Sequence, residues 1–150
     1  RAGQAMVLDA DGLNAIAARP EGLKFLRAGD VLTPHAGEYK KLFGDLTPQE
    51  AALKTKCVVV LKGAETLITD GVQTVVNDHA SPYLASAGTG DVLAGLTGGL
   101  LAQGMPAFDA ACAAVWIHGE AGVRLGAGLV ASDLPQEAGH VLHELVTSPA

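Results

Sequence analysis

The feature that most constrains the fold is an unbroken apolar run, residues 57–61, followed directly by Lys62 and Gly63. A run this short and this apolar is typical of a strand buried on both faces, as the strands of parallel sheets are. Residues 5–9 and 31–33 form shorter runs that also end in polar residues or at a proline. Helix signals separate the runs, so the sequence predicts an α/β fold with a mainly parallel central sheet flanked by helices on both faces.

Caps and apolar periodicity predict the helices. The clearest start is at Thr47, Pro48 and Glu50, which supply a capping hydroxyl, a proline at the first helical position and an acid after the cap. The segment 107–125 is alanine-rich and apolar nearly all round, so we expect it to be largely buried. The other predicted helices cover residues 13–18, residues 36–43 with Gly44 as the C-cap, a long segment that opens at 88–91 and ends at 104, and a last helix capped by Ser132 or Asp133.

Residues 67–69 and 72–76 are strand-like segments on either side of Asp70 and Gly71. An Asp-Gly pair readily adopts the positive φ values of a two-residue hairpin turn. We therefore expect a β-hairpin near residues 65–77.

Length and charge exclude several classes of protein. A chain of 150 residues with 49% hydrophobic content is one domain, residues 1–150, with a well-filled core. A formal net charge of −6 and only 10 Lys and Arg give no basic stripe for nucleic acid. No apolar run approaches the roughly 20 residues that span a bilayer, and we expect a soluble, cytoplasmic protein without a membrane partner. Cys57 and Cys112 lie in apolar surroundings without metal-type spacing and should be reduced core residues.

The sharpest candidate site is the segment 85–91, in which Gly88, Thr89, Gly90 and Asp91 open a helix. Glycines let several backbone N–H groups converge, and the helix dipole adds positive potential, so the turn is suited to hold a phosphate. Asp91 would then stand beside that phosphate as a candidate base. The competing interpretation is an ordinary glycine turn with a helix-favouring acid.

Three further motifs follow predicted strands. Residues 62–66 (KGAET) offer a glycine that lets a nucleotide approach the backbone, although an exposed turn with a loose lysine explains this segment better when it is taken alone. Residues 33–38 (TPHAGE) place His35 and Glu38 where open α/β sheets bind ligands. Residues 9–14 (DADGLN) place Asp11 and Asn14 at another strand end, with helix capping as their alternative role.

Together these motifs resemble the NAD(P)H-hydrate dehydratase family of the ribokinase-like superfamily. The family's strings are close to DADxLN, LTPHPGE, VLKGAxT, GGTGDVLAG, LHGxAG and AsDL, and matching segments occur here in the same order. Ala36 replaces the family's proline, which loosens that turn without removing a functional group. The family domain also has a substantial N-terminal portion with a glycine-rich substrate segment, and we expect this chain to begin after it. A strand at residues 5–9 would then need a neighbour to cover its edge.

The resemblance implies an enzyme that dehydrates hydrated NADH or NADPH back to the reduced cofactor, by phosphorylating the C6 hydroxyl from ADP or ATP with Mg²⁺ and eliminating phosphate. It implies that Asp91 is the base and contacts the substrate, that Gly88, Thr89 and Gly90 hold the transferring phosphoryl group, and that Lys62, Gly63, Ala64, Glu65 and Thr66 bind the nucleotide. His35, Asp11 and Asn14 would contact the hydrated dinucleotide, and Glu38 would act on Mg²⁺ indirectly. A homo-oligomer and action beside an NAD(P)H-hydrate epimerase are further implications.

Two other functions fit the same residues. A ribokinase-like small-molecule kinase of the hydroxymethylpyrimidine or pyridoxal type would use the same glycine turn and aspartate, but with Asn at the position of His35. A non-catalytic nucleotide-binding module would bind nucleotide without turnover. A Rossmann oxidoreductase is excluded because no strand–GxGxxG–helix unit is present.

Overall fold

The computed structural model describes residues 3–148 and shows one five-stranded sheet with helices on both faces. The strand order is β1-β2-β3-β4-β5, in which β1, β2 and β3 are parallel and β4 and β5 form an antiparallel hairpin on β3. The strands are β1 (Val7–Leu8), β2 (Val31–Leu32), β3 (Val58–Leu61), β4 (Thr66–Thr69) and β5 (Thr74–Asn77). The helices are α1 (Ala10–Ala17), α2 (Ala36–Phe43), α3 (Pro48–Thr55), α4 (Thr89–Ala102), α5 (Ala107–Leu125) and α6 (Leu134–Thr147).

Strand β3 shows why helices cover both faces of the sheet. Val58 and Val60 point into a cluster with Leu93 and the alanines of α5, whereas Cys57 and Val59 point into a second cluster with α1, α2 and α3. Because successive side chains of a strand alternate between faces, an unbroken apolar run needs an apolar layer on each side. A third cluster joins α5 to α6. The predicted fold class is confirmed.

Local capping fixes the helices that lead away from the strand ends. In α3, Thr47 and Glu50 form a capping box, as the sequence indicates. In α2 the capping residue is His35, whose ring accepts backbone N–H groups while Glu38 accepts from the His35 backbone. The bounds of α2 and of α5 agree with the prediction, and α2 ends at Gly44 with a φ of +61°.

The hairpin is where we predicted it, but its turn is not the two-residue type. Thr69 pairs with Thr74, so four residues form the loop, and only Gly71 among them has a positive φ. Asp70 Oδ1 accepts the backbone N–H groups of Val72 and Gln73 at 2.8 and 2.7 Å. That side-chain turn stabilises a longer loop than the Asp-Gly pair alone suggests.

Smaller corrections concern the ends of elements. Strand β1 is only Val7–Leu8, and α1 begins at Ala10 rather than at residue 13. Asp133 occupies the cap position of α6 without a capping hydrogen bond from its side chain. Helix α5 is largely buried, as expected, although Trp116 is 39% exposed. Over the described residues, no helix is both long enough and apolar enough to cross a membrane.

Cys57 is buried and Cys112 is partly buried, and neither forms a disulfide within residues 3–148. Burial raises the pKa of the Cys112 thiol, and the charges of Asp109 and Asp70 add to that effect. Cys57 is a core residue as expected, whereas Cys112 lies at the edge of the core.

Candidate functional site

The first turn of α4 is a glycine turn with backbone donors at a helix N-terminus. Gly88 caps the helix with a φ of +87°, a conformation that a side chain rarely allows, and no side chain caps the helix N-terminus. Thr89 is buried, and its hydroxyl donates to the carbonyls of Leu84 and Ser86 at 2.6 and 2.9 Å. The hydroxyl therefore holds the preceding loop in place. The Thr89 N–H makes only a long bond, 3.4 Å, to the Ser86 carbonyl, and the N–H groups that follow it in the first turn can meet an anion.

His118 of α5 supports this turn from behind. Its Nε2 lies 2.9 Å from the Thr89 carbonyl oxygen, to which it donates, and the residue is 9% exposed. Burial lowers the pKa of His118; the bond to Thr89 opposes that effect, and the positive charge of Lys62 adds to it. A neutral imidazole with its proton on Nε2 fits these surroundings. Sequence reasoning did not select His118 as a site residue.

Lys62 lies opposite the glycine turn, at the carboxyl end of β3. Its backbone N–H donates to the Pro34 carbonyl at 2.9 Å, and a parallel bridge pairs it with His35, so its main chain is fixed beside the end of β2. Its ammonium donates to Asp9 Oδ1 at 2.8 Å. A Cβ built on Gly90 would lie 3.4 Å from Lys62 Nζ and 3.7 Å from Asp9 Oδ2. The ends of β1 and β3 therefore meet at the first turn of α4, as the rule for open α/β sheets predicts.

A cavity of about 630 Å³ lies between these motifs and the segment 80–85. That volume is within the range of small-molecule sites. Pro82, Leu84, Leu93 and Val115 give it an apolar wall, and Asn77, Ser81 and His118 add polar groups. The predicted nucleotide residues that line it are Lys62, Gly63, Ala64, Thr66, Thr89 and Gly90, whereas Glu65 and Gly88 do not.

Two glycines of α5 allow the segment 79–85, which forms part of the cavity wall, to lie close to the backbone of that helix. A Cβ on Gly119 would lie 2.0 Å from the His79 carbonyl oxygen, and one on Gly122 would lie 2.7 Å from Leu84 Cγ. Neither position tolerates a side chain without displacing the wall. The segment that precedes the glycine turn therefore packs directly on the backbone of α5, a contact that sequence reasoning did not predict.

Asp91 lies on the other side of the turn. It is exposed, and its carboxylate has no hydrogen-bond or ion-pair partner within residues 3–148. It does not line the 630 Å³ cavity. It borders a separate apolar groove of about 490 Å³ between α4 and α6, with Val92, Leu96 and Leu142 among its walls. The same helical turn thus presents Gly90 to the 630 Å³ cavity and Asp91 to the groove between α4 and α6.

His35 and Glu38 are joined by the cap of α2. His35 Nδ1 accepts the N–H groups of Gly37 and Glu38 at 3.0 and 3.3 Å, and Glu38 Oε2 accepts the His35 N–H at 2.9 Å. Because Nδ1 is an acceptor, the neutral ring carries its proton on Nε2. The His35 side chain is 60% exposed and that of Glu38 only 8%. His35 can therefore donate to a ligand at the strand ends, while Glu38 mainly holds the cap.

Asp11 and Asn14 both lie in α1, because that helix begins at Ala10 and so includes Asp11 as well as Asn14. Asn14 Oδ1 accepts from Lys41 Nζ of α2 at 3.4 Å, and Asp11 is exposed in the first turn. The carboxylate of this motif that reaches Lys62 is Asp9, which our list of candidate residues omitted.

The described part of the chain, residues 3–148, contains no group of three or more His, Cys, Asp or Glu side chains that could hold a metal ion. With Glu38 engaged in the α2 cap, the donor set does not form a protein-only cage. A magnesium ion that accompanies a nucleotide is usually held by phosphate oxygens and water with few carboxylates.

These features define the class of protein. The mainly parallel sheet, whose strand ends face a glycine turn at a helix N-terminus, is shared with solved ribokinase-like structures, and the fold is ribokinase-like. Residues 1–144 match the family model for NAD(P)H-hydrate dehydratase. The chain belongs to the NAD(P)H-hydrate dehydratase family.

Similar proteins carry related names. The bifunctional NAD(P)H-hydrate repair enzyme Nnr of Gloeobacter violaceus is 48% identical over 131 residues, which is 82% of this chain and 26% of the relative. The ADP-dependent (S)-NAD(P)H-hydrate dehydratase of Neisseria meningitidis is 40% identical over 147 residues, 88% of this chain and 50% of the relative. The chain thus spans half or less of the length of these curated relatives.

A solved structure shows the same arrangement. The ADP/ATP-dependent NAD(P)H-hydrate dehydratase of Bacillus subtilis, co-crystallised with ATP/Mg²⁺ and soaked with CoA, superimposes with a TM-score of 0.77 at 27% identity. The match covers 93% of this chain and 56% of that one.

Proposed function

We propose that the protein dehydrates hydrated NADH or NADPH to the reduced cofactor, using ADP or ATP as phosphoryl donor. Membership of the dehydratase family supports the reaction class. The observation that carries the mechanism is the first turn of α4, which presents Gly90 to a cavity and Asp91 to a separate groove. The phosphoryl donor would lie on the cavity side and the hydroxyl acceptor on the groove side. The two would meet at the N-terminal end of α4.

The nucleotide would occupy the 630 Å³ cavity. Its phosphates would lie at the N–H groups of Thr89 and Gly90, where the helix dipole favours negative charge, with Lys62 beside them. Thr66 would offer a hydroxyl to a phosphate oxygen, and the apolar wall would take the adenosine. Preorganised donors of this kind stabilise the charge of a transferring phosphoryl group without having to reorganise.

Asp91 would take the proton of the C6 hydroxyl as that oxygen attacks the terminal phosphorus. The P–O bond to the leaving nucleotide breaks as the new O–P bond forms. Phosphate then leaves with the C6 oxygen, and loss of a ring proton restores the double bond. With ADP as donor, the products are the reduced cofactor, AMP and phosphate. The exposed, unpaired carboxylate of Asp91 is suited to this role because no neighbouring group in the described residues competes for it.

The hydrated dinucleotide would reach the strand ends that carry His35. The α2 cap orients that ring, and its Nε2–H, which lies 3.6 Å from Glu38 Oε1 on an exposed side chain, would turn to a substrate oxygen. Asp11 and Asn14 remain predicted contacts farther along α1. An indirect role of Glu38 toward Mg²⁺ likewise stays a prediction, and we derive no step through the metal.

The wider setting is also proposed. Relatives named bifunctional repair enzymes support action beside a second repair activity, which we take to be an NAD(P)H-hydrate epimerase. A homo-oligomer and a cytoplasmic location remain part of the proposal.

The function is tested by incubating the protein with hydrated NADH and either ADP or ATP. We expect the near-ultraviolet absorbance of the reduced nicotinamide to return only when nucleotide is present. Accumulation of a phosphorylated product without that return would favour a small-molecule kinase. Nucleotide binding without any turnover would favour a non-catalytic module.

A further inference from the structure

Asp9 and Lys62 form an ion pair that the proposed mechanism does not explain. Asp9 follows β1 and Lys62 follows β3, so their side chains meet across the end of the intervening strand β2. The Nζ–Oδ1 distance is 2.8 Å, and the side chains are only 13% and 23% exposed. Removing one member of a pair this well shielded leaves the other charge poorly compensated.

The backbone around Asp9 shows that its side chain does not serve its own helix. Asp9 is the cap residue of α1, where aspartate usually accepts a backbone N–H, but its side chain makes no capping bond. The next residue, Ala10, has a φ of +43°, which is uncommon for a residue with a side chain. The chain thus adopts an unfavourable local conformation while the carboxylate is turned toward Lys62.

Lys62 is fixed at its main chain but not at its ammonium. Its backbone is held by Pro34 and His35, whereas its side chain is a flexible four-carbon stem. Within residues 3–148, Asp9 is the only side chain that holds the ammonium. A Cβ on Gly90 would lie 3.4 Å from Nζ, so this carboxylate keeps the charge against the first turn of α4.

We propose that Asp9 is a positioning residue that directs the Lys62 ammonium toward the phosphate bound at the glycine turn. The inference rests on the nucleotide site of the proposed function. Asp9 touches neither phosphate nor substrate; it acts through Lys62 by limiting where the ammonium can go. If Asp9 acted only through its own charge, its removal would have the opposite effect. Loss of a negative charge near a phosphate site would favour binding of the anion and speed its capture.

The first test observes Lys62 directly and does not need activity. In protein carrying isotope-labelled lysine, a shielded ammonium gives an observable resonance, and its disappearance in Lys62→Ala assigns it. We expect this resonance in the unliganded protein, a shift when ADP is added, and its loss in Asp9→Asn. Asp45→Asn is the matched control, since it removes the carboxylate of an exposed Asp–Lys pair with Lys40, outside the Asp9–Lys62 pair. A resonance unchanged in Asp9→Asn, or indifferent to ADP, would overturn the proposal.

The second test is a double-mutant cycle on turnover. We expect Asp9→Asn to lower turnover about 10- to 100-fold in the otherwise unchanged protein, because small misplacements of a catalytic group are that costly. In a Lys62→Ala background the same substitution should change turnover by no more than about twofold. Equal losses in both backgrounds would show that Asp9 acts independently of Lys62, and no loss in either would remove its role.

Two outcomes separate this inference from the proposed function. If the unchanged protein never restores reduced nicotinamide, the proposed function fails, while the ammonium resonance still decides the role of Asp9. If Asp9→Asn does not fold, Asp9→Glu keeps the charge and moves it by one methylene. We then expect the resonance to persist at a changed shift with reduced turnover, and unchanged shift and turnover would contradict the proposal.

Discussion

The two sides of the first turn of α4 are built differently. On the cavity side, Thr89, His118 and Lys62 are tied to distant parts of the chain by hydrogen bonds and an ion pair. On the groove side, Asp91 is exposed and unpaired within residues 3–148. Under the proposed function, the side that binds phosphate would be preorganised before a ligand binds, whereas the proposed base would keep its carboxylate free for a substrate.

The largest effect should come from the groove side. Asp91→Asn removes the proposed base but keeps the size and polarity of the side chain. We expect turnover to fall by about 10²- to 10⁴-fold, as for loss of a general base. ADP affinity, measured by calorimetry, should stay nearly unchanged because the cavity lies on the other side of the turn. A rate near that of the unchanged protein would refute the assignment.

A smaller effect, a loss of ADP affinity rather than of turnover, should follow when a side chain is placed in the cavity. Gly63 lines the cavity, and a Cβ there would already lie 3.0 Å from the Glu65 carbonyl oxygen. We expect Gly63→Val to weaken ADP binding about 10- to 100-fold through steric strain of about 1–3 kcal/mol. Gly139→Ala is the control, since a Cβ on that α6 residue meets no atom within 4 Å. Unchanged ADP affinity in Gly63→Val would move the nucleotide elsewhere.

His35 tests whether the dinucleotide and the donor occupy separate subsites. His35→Ala should weaken binding of the hydrated dinucleotide about tenfold, as for a lost hydrogen bond in a site, and spare ADP. It also removes the cap of α2, so His35→Asn is the matched variant. Asparagine is a good capping residue and should preserve stability while the ring contact is still lost. Equal losses for both ligands, by calorimetry, would contradict separate subsites.

The smallest effect concerns the support of the turn by His118. Burial lowers the pKa of His118 below the ordinary value of 6.5. In the unfolded chain the ring takes up a proton near pH 6.5, but in the folded protein it does so only at lower pH. The unfolded state therefore binds more protons below pH 6.5, and the free energy of unfolding falls as the pH drops through that range. His118→Gln should make this fall shallower in urea titrations at a series of pH values. An unchanged pH dependence would show that His118 does not titrate as inferred.

Much of the fold could be predicted because residues close in sequence determine where many helices begin and end. Residues 107–125 were predicted as a helix and form α5 with those bounds, since Pro106 and Gly126 limit it on either side. The capping box at Thr47 likewise depends only on residues close in sequence. The prediction of a two-residue hairpin turn was wrong, because the Asp70 side chain, rather than the Asp-Gly backbone, sets the loop length.

The candidate site could be predicted only as separate motifs. The Asp9–Lys62 pair joins residues 53 positions apart, and it forms because β1 and β3 lie on either side of β2. The contacts of Gly119 and Gly122 with the segment 79–85 likewise depend on packing between elements. Local patterns select candidate residues, and strand order decides which of them meet.

The measurement that tests the central claim most directly follows phosphorus through one turnover. Protein, hydrated NADH and ADP are mixed, and phosphorus NMR and the reduced-nicotinamide absorbance are recorded together. Transfer across the α4 turn predicts one AMP and one free phosphate for each reduced nicotinamide formed, with no stable phosphorylated dinucleotide left. Recovery of reduced nicotinamide while ADP stays intact, or a phosphorylated dinucleotide that accumulates without recovery, would contradict the account.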